Sequence, residues 1–469
     1  MLFDSLQFMI FFPIVFVIYF AIPKKIRYIW LLVASYYFYL CWNQKYALFL
    51  ITSTVVIYLG ARQLVKSHKK IWFALSLLLG LSMLIFFKIG ALFTTHSLIL
   101  PIGLSFYTFQ SVGYLIDVYK GKVEPEKNFA KYALFVSFFP TIVSGPIERS
   151  GNLLKQICEG TEFSYDKAKK GLLYMALGYF EKILIANRIG VMVDIAFGNY
   201  TEQTGAALLF AIFLYAIQIY ADFAGYSYLA IGMSKVLGFE IIENFRQPYF
   251  SLSISEFWKR WHISLSQWLR DYVYIPLGGN RKGQVRKYVN LMITFLVSGI
   301  WHGSNWQFVV WGALHGIYQI CGALTKKLRD TIKSKLGIKT DCFSYRLFQG
   351  LITFALVDFA WLFFRSSSLS EAFQILQRIA TELHPFSTIV NCEYLLGMEQ
   401  NRFSLLVVEV LIMLIIDVIH AKKISIVVWL DKQNTVFRWI VYVSVTMVII
   451  TGMLYNYGAD SSTFIYAQF

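Results

Sequence analysis

Residues 6–43 read LQFMIFFPIVFVIYFAIPKKIRYIWLLVASYYFYLCWN. Two apolar runs, 6–22 and 28–43, flank a short break that carries Pro23, Lys24, Lys25 and Arg27. An apolar helix crosses a bilayer in about 17 to 25 residues, and cytoplasmic loops are enriched in Lys and Arg. The stretch therefore predicts a helical hairpin through a membrane, with its turn in the cytoplasm and the N-terminus outside. With no basic n-region ahead of it, the first run reads as a retained helix rather than a cleaved signal.

The same punctuation recurs along the chain. Further apolar runs lie near 46–61, 71–89, 98–118, 288–303, 306–325, 346–364, 403–420 and 435–455. Several are short, so tilting or re-entry is expected. Arg62, Lys66, Lys69 and Lys70 follow the third run, and Lys120, Lys122, Lys127 and Lys131 follow the fifth. Later clusters are Arg281, Lys282, Arg286 and Lys287, then Lys326, Lys327, Arg329, Lys333 and Lys335, then Lys422, Lys423 and Lys432. The acidic segment Ser366 to Gln400 falls on the outer side of this map. Between Lys131 and Arg281 three runs (132–145, 171–197, 205–236) join two cytoplasmic ends, so one of them must lie along the surface or re-enter.

Composition agrees. Of 469 residues, 57% are hydrophobic, 18% aromatic and 15% charged, with a mean hydropathy of +0.56. Soluble domains carry about 25% charged residues, which excludes an ordinary cytosolic enzyme. The balance of 43 Lys+Arg against 27 Asp+Glu sits in short loops between apolar runs, the pattern of a membrane protein rather than a nucleic-acid binder. The expected fold is an all-α polytopic bundle of about 10–13 transmembrane or re-entrant helices. It forms one domain over 1–469, with N-terminal helices (1–131), a core (132–325) and C-terminal helices (326–469). Cys41, Cys158, Cys321, Cys342 and Cys392 lack metal-type or CxxC spacing and read as isolated and mostly buried; no metal site is expected.

Polar residues inside apolar segments are costly and mark function by default. They concentrate between Gln218 and His315. Asp222 lies in an apolar run beside Tyr220, Tyr226 and Ser227, either as a functional carboxylate or as a packing group satisfied by a tyrosine or a backbone amide. Residues 254–272 read as one interfacial amphipathic helix, capped by Ser253 or Ser255, with Phe257, Trp258, Trp261, Leu265, Trp268, Leu269 and Tyr272 on one arc. His262 falls about 20° beyond that arc, at the boundary of wet and dry. His302 ends an apolar run between Trp301 and Gly303, where the missing side chain leaves room for a substrate. His315 follows in the next run, more readily a packing residue. Imidazole suits proton transfer near neutral pH.

Together FWKRWHISLSQWLRDYVYIPLGGN (257–280), SGIWHGSNWQFVVWGALHG (298–316), DFAGYS (222–227), SGPIERS (144–150) and LFDSLQFMIFFPIVFVIYF (2–20) resemble the membrane-bound O-acyltransferase family. The likeness covers essentially the whole chain and is greatest to the bacterial alginate and peptidoglycan O-acetyltransferase branch. Tyr228 departs from relatives that carry Asp after GYS. The resemblance implies a catalytic base at His302, a positioning role for His262, and a bundle of about a dozen helices whose funnels meet at a thin floor. It also implies an acyl thioester donor (acetyl-CoA in the acetylating branch) with no bound cofactor, an exported or cell-surface glycan acceptor, an SGNH-hydrolase-like extracytoplasmic partner, and a place in the bacterial cytoplasmic membrane. Lys259, Arg260, Arg270, Arg281 and Lys282 then form a basic rim for the coenzyme phosphates. Asp222, Trp301, Asn305 and His315 are further candidates for substrate or donor contact. Two alternatives are a D-alanyl transferase fed by a carrier-protein thioester, and a transporter or flippase.

Overall fold

The computed structural model describes residues 1–66, 68–90 and 101–456, and every regular element among them is helical. The N-terminal part holds α1 (Leu6–Ala21), α2 (Arg27–Leu40), α3 (Gln44–Gln63), α4 (Lys69–Lys88) and α5 (Leu104–Tyr119). After α6 (Phe129–Ser137) and α7 (Phe139–Ile142), a π-helical turn (Ser150–Leu154) leads into α8 (Lys155–Glu159). Next, α9 (Tyr165–Tyr179) runs through a second π-helical turn, Phe180–Ala186, into α10 (Asn187–Gly198), and α11 (Gly205–Val236) returns beside it.

The third part begins with α12 (Ile254–Arg260), α13 (Ile263–Leu269) and a π-helical turn, Arg270–Tyr274. The hairpin α14 (Gln284–His302) and α15 (Trp306–Leu324) follows, then α16 (Lys326–Lys335) and α17 (Phe343–Arg365). The chain closes with α18 (Leu369–Thr381), α19 (Pro385–Val390), α20 (Gln400–Ala421), α21 (Ile426–Asp431) and α22 (Thr435–Asn456).

Among the described residues, six helices are long and apolar enough to span a membrane: α3, α4, α11, α17, α20 and α22. A seventh appears if α15 and α16, bent by 49°, count as one. Other expected runs form shorter helices, 16 residues in α1, 14 in α2 and 16 in α5; the start of the run near 98–118 lies outside the described residues. This is a multi-pass membrane protein. Of the three runs between Lys131 and Arg281, the third forms the spanning-length helix α11, the second is divided among α9, a π-helical turn and α10, and the first forms no long helix. It makes α6 and α7, of nine and four residues, buried throughout 132–148.

At the centre stands α11, 32 residues long, with 72% of its apolar stretch enclosed by protein. It meets α9 backbone to backbone. A Cβ on Gly178 would lie 2.6 Å from the Gly225 carbonyl, and one on Gly171 2.5 Å from that of Gly232. Small residues permit such approach in membrane helices, where packing rather than hydrophobic sorting drives association.

The two ends of α11 differ in their company. At its C-terminus, Thr161 donates to the Leu237 carbonyl and Arg27 to the Thr161 carbonyl, bringing the first basic loop there; Lys169 of the adjoining α9 pairs with Asp431 at 2.6 Å. At its N-terminus, the Gly205 amide donates to Glu382 and the Arg378 guanidinium to Gln203. The acidic 366–400 segment thus sits at the opposite end from those basic loops. All five cysteines are exposed at the protein surface, which corrects the expectation that most are buried; isolated thiols here face outward from the bundle.

Candidate active site

His302 is the last residue of α14 and is 3% exposed. Its imidazole lies edge to face with Trp301 at 4.8 Å and Trp311 at 4.9 Å between ring centroids, and with Phe364 at 5.4 Å. The α14–α15 hairpin that carries it is tightly closed. A Cβ on Gly299 would lie 2.3 Å from the Phe308 carbonyl, and one on Gly312 2.4 Å from that of Phe295. Gly303 serves the same packing: an added Cβ would meet the Phe308 ring at 2.0 Å. The expectation that Gly303 leaves room for a substrate is therefore corrected, because Phe308 occupies that space.

His262 comes from elsewhere in the chain. The single helix expected over 254–272 is broken there into α12 and α13, with His262 between them in the left-handed region at φ +41°. Ser253 does cap the start, accepting from the Glu256 amide. The break is held from outside: the Ile263 amide donates to the Asn244 carbonyl, the Ser264 hydroxyl donates to Asn244 Oδ1 at 2.7 Å and accepts from the Ile147 amide at 3.0 Å. The predicted aromatic arc is buried in protein. Trp268 stacks on Phe109 at 3.8 Å. His262 is fully enclosed rather than at a wet boundary, since the elbow turns its ring inward against Phe223 at 4.7 Å and Phe106 at 6.3 Å. The two imidazoles meet with centroids 6.3 Å apart, and Trp301 touches both. Phe223 lies near the middle of α11, so the pair sits at mid-depth in the bundle.

A sequence profile of the MBOAT, membrane-bound O-acyltransferase family matches residues 126–364, the stretch that supplies both histidines. The chain belongs to this family. A probable alginate O-acetylase AlgI of Pseudomonas syringae pv. tomato is 38% identical to this acyltransferase, over 79% of this chain and 74% of its own. A peptidoglycan O-acetyltransferase of Helicobacter pylori is 30% identical over 94% of this chain and 91% of its own. A teichoic acid D-alanyltransferase of Bacillus subtilis is 30% identical, over 48% of this chain and 60% of its own.

The other expected site residues of the acyltransferase fall into two groups. Trp301 is in the chamber, its indole donating to the Ser105 carbonyl at 3.4 Å. His315 is buried one wall away, accepting from the Trp258 indole at 3.2 Å, with Trp311 between it and His302. Asp222 is held by the Lys182 ammonium at 2.6 Å, both side chains 2% exposed, a partner not considered from sequence. Neighbouring Phe223 packs on His262.

Lys259, Arg270, Arg281, Lys282 and Asn305 are exposed. Arg260 pairs with Glu256 at 2.5 Å and Arg270 with Asp271 at 2.9 Å. These cations lie on the surface rather than against the imidazoles. The sequence reading missed Lys88, the buried last residue of α4, whose ammonium donates to the His302 carbonyl at 3.0 Å. A charge closing an apolar run was the available signal. The SGPIERS segment, noted only for its resemblance, braces the elbow: Glu148 accepts from the Ile242 amide at 2.6 Å and from Asn152 at 2.8 Å, next to Ile147.

Proposed function

We propose that this acyltransferase moves an acetyl group from a cytoplasmic thioester, acetyl-CoA, to hydroxyl groups of an exported or cell-surface polysaccharide. The observation that carries this reading is the enclosed His262–His302 pair, drawn from two distant segments into one aromatic chamber at mid-depth. His302 acts as general base: it takes the proton of an acceptor hydroxyl as the oxygen attacks the thioester carbonyl. Collapse of the tetrahedral adduct breaks the C–S bond. The thiolate leaves and recovers the proton, giving ester and free thiol. His262 orients the reacting groups from the opposite wall. The exposed cations Lys259, Arg270, Arg281 and Lys282 draw the anionic donor toward the cytoplasmic entrance by long-range attraction.

In this reading the basic loops at the C-terminal end of α11 face the cytoplasm and the 366–400 segment faces outward, in the cytoplasmic membrane of a bacterium. An SGNH-hydrolase-like protein outside accepts or relays the acetyl group. Near-complete coverage of a peptidoglycan O-acetyltransferase supports acetyl transfer. The D-alanyl alternative rests on relatives matched over about half of this chain. The test is the ester-linked group released by mild alkali from surface polysaccharide of a deletion strain, complemented or not with this gene. Acetate restored by complementation supports the proposal. Restored D-alanine, or no restored ester, rejects it.

A further inference from the structure

Beyond the chamber, α16 is amphipathic in an unusual sense. Leu328, Ile332 and Leu336 fall within an arc of about 80° and are 61%, 44% and 70% exposed. The side toward the rest of the chain is polar: the Lys333 ammonium lies 5.3 Å from the Tyr345 ring centroid of α17 and 3.9 Å from Asp330. An aqueous helix would point its leucines the other way. Lys335 and Arg329 border the apolar arc on either side, each about 20° beyond it.

The helix is held in this attitude. It bends 49° away from α15, and Arg329 fixes the bend by donating to the Gly322 carbonyl at 2.8 Å. A surface groove of about 750 Å³ runs along it, lined by Lys326, Lys327, Lys335, Thr331 and Ser334 together with Asp330 and Ala323. An outward apolar edge bordered by cations, directly after an apolar helix, is complementary to one environment: the boundary between acyl chains and negatively charged headgroups.

We propose that α16 is an interfacial helix whose apolar edge enters the lipid surface and whose lysines Lys326, Lys327 and Lys335 hold the phosphates of anionic phospholipids. The proposal does not depend on the acyl-transfer chemistry. It is tested by hydrogen exchange of the full chain in nanodiscs of phosphatidylcholine, with and without a minority of phosphatidylglycerol. Amides of 326–340 are expected to exchange at least about fivefold more slowly with the anionic lipid, the value of one lysine at such a surface. The triple variant K326Q/K327Q/K335Q, whose changes are all on the surface, should lose that difference while α18 peptides stay as in wild type. The L328S/L336S variant should lose protection in both lipids. Equal exchange in the two nanodiscs would overturn the proposal. So would equal protection by soluble glycerol phosphate in neutral discs, which would make this a free-phosphate groove.

Discussion

The Lys88 ammonium of α4 donates to the backbone carbonyl of His302 at 3.0 Å, joining residues 214 apart in the chain. The last carbonyls of a helix lack intrahelical partners and carry the negative end of its dipole. Lys88 supplies the missing donor there, in a site only 2% exposed. It fixes the end of α14 that aims the His302 ring. Lys88→Met is expected to lower kcat by about 5- to 100-fold, from leaving a buried carbonyl unsatisfied at roughly 1–3 kcal/mol, with KM for the donor little changed. Lys88→Arg should recover part of the rate. Initial-rate kinetics in proteoliposomes check this, and equal loss of kcat in both variants would remove the positioning role.

His302→Ala should lose about 10²- to 10⁴-fold in acyl transfer, the usual worth of a general base, while membrane levels stay normal. His315→Ala should be milder, because Trp311 separates His315 from His302. Ester-linked acetate on the polysaccharide of complemented deletion strains, with immunoblots for protein level, ranks the two. Near-normal acetate from His302→Ala would eliminate it as the base.

For His262 a different test follows from its backbone. Its φ of +41° lies in a region that Asn visits more readily than most residues, and an amide keeps one donor and one acceptor. His262→Asn is expected to stay within about 10²-fold of wild-type rate, and His262→Val to fall well below it and to destabilise the elbow. Rates and thermal stability of the purified variants read the two effects separately.

Two native cysteines report sidedness. Cys342 follows the basic 326–339 loop and Cys392 lies in the acidic 366–400 segment, and both are exposed. With the other cysteines replaced by serine, an impermeant maleimide should label Cys392 in intact cells and Cys342 only after permeabilisation. The reverse pattern would invert the proposed orientation.

Much of this molecule is legible in sequence where one short-range rule dominates. Apolar length and basic loops outline the hairpins, and the close match of Gly299 and Gly312 lies within a contiguous motif. His302 stands out because it closes an apolar run. The elbow at His262 does not. Nothing in FWKRWHISLSQWL breaks a helix; the break is imposed by Asn244 and Ile147, so helical periodicity placed His262 at a surface when tertiary bonds turn it inward. Gly303 misled for a related reason, since only the fold shows that Phe308 fills the gap. Lys88 was visible as a charge within the run 71–89, but its partner came from another part of the chain.

The aromatic walls around the two imidazoles have a consequence for fidelity. A thioester exposed to a general base faces a rival nucleophile present at about 55 M, namely water. Phe106, Phe223, Trp301, Trp311 and Phe364 surround the histidines with ring faces and edges, surfaces that offer a solvent molecule little to bond. In the proposed reaction an acceptor sugar would bring its own hydroxyl to the base, whereas a stray water would meet ring faces and edges on most sides. Under the proposed reaction the chamber would set the partition between useful transfer and wasteful hydrolysis, and trimming one ring should show first as leaked free acid rather than as slower turnover of the donor.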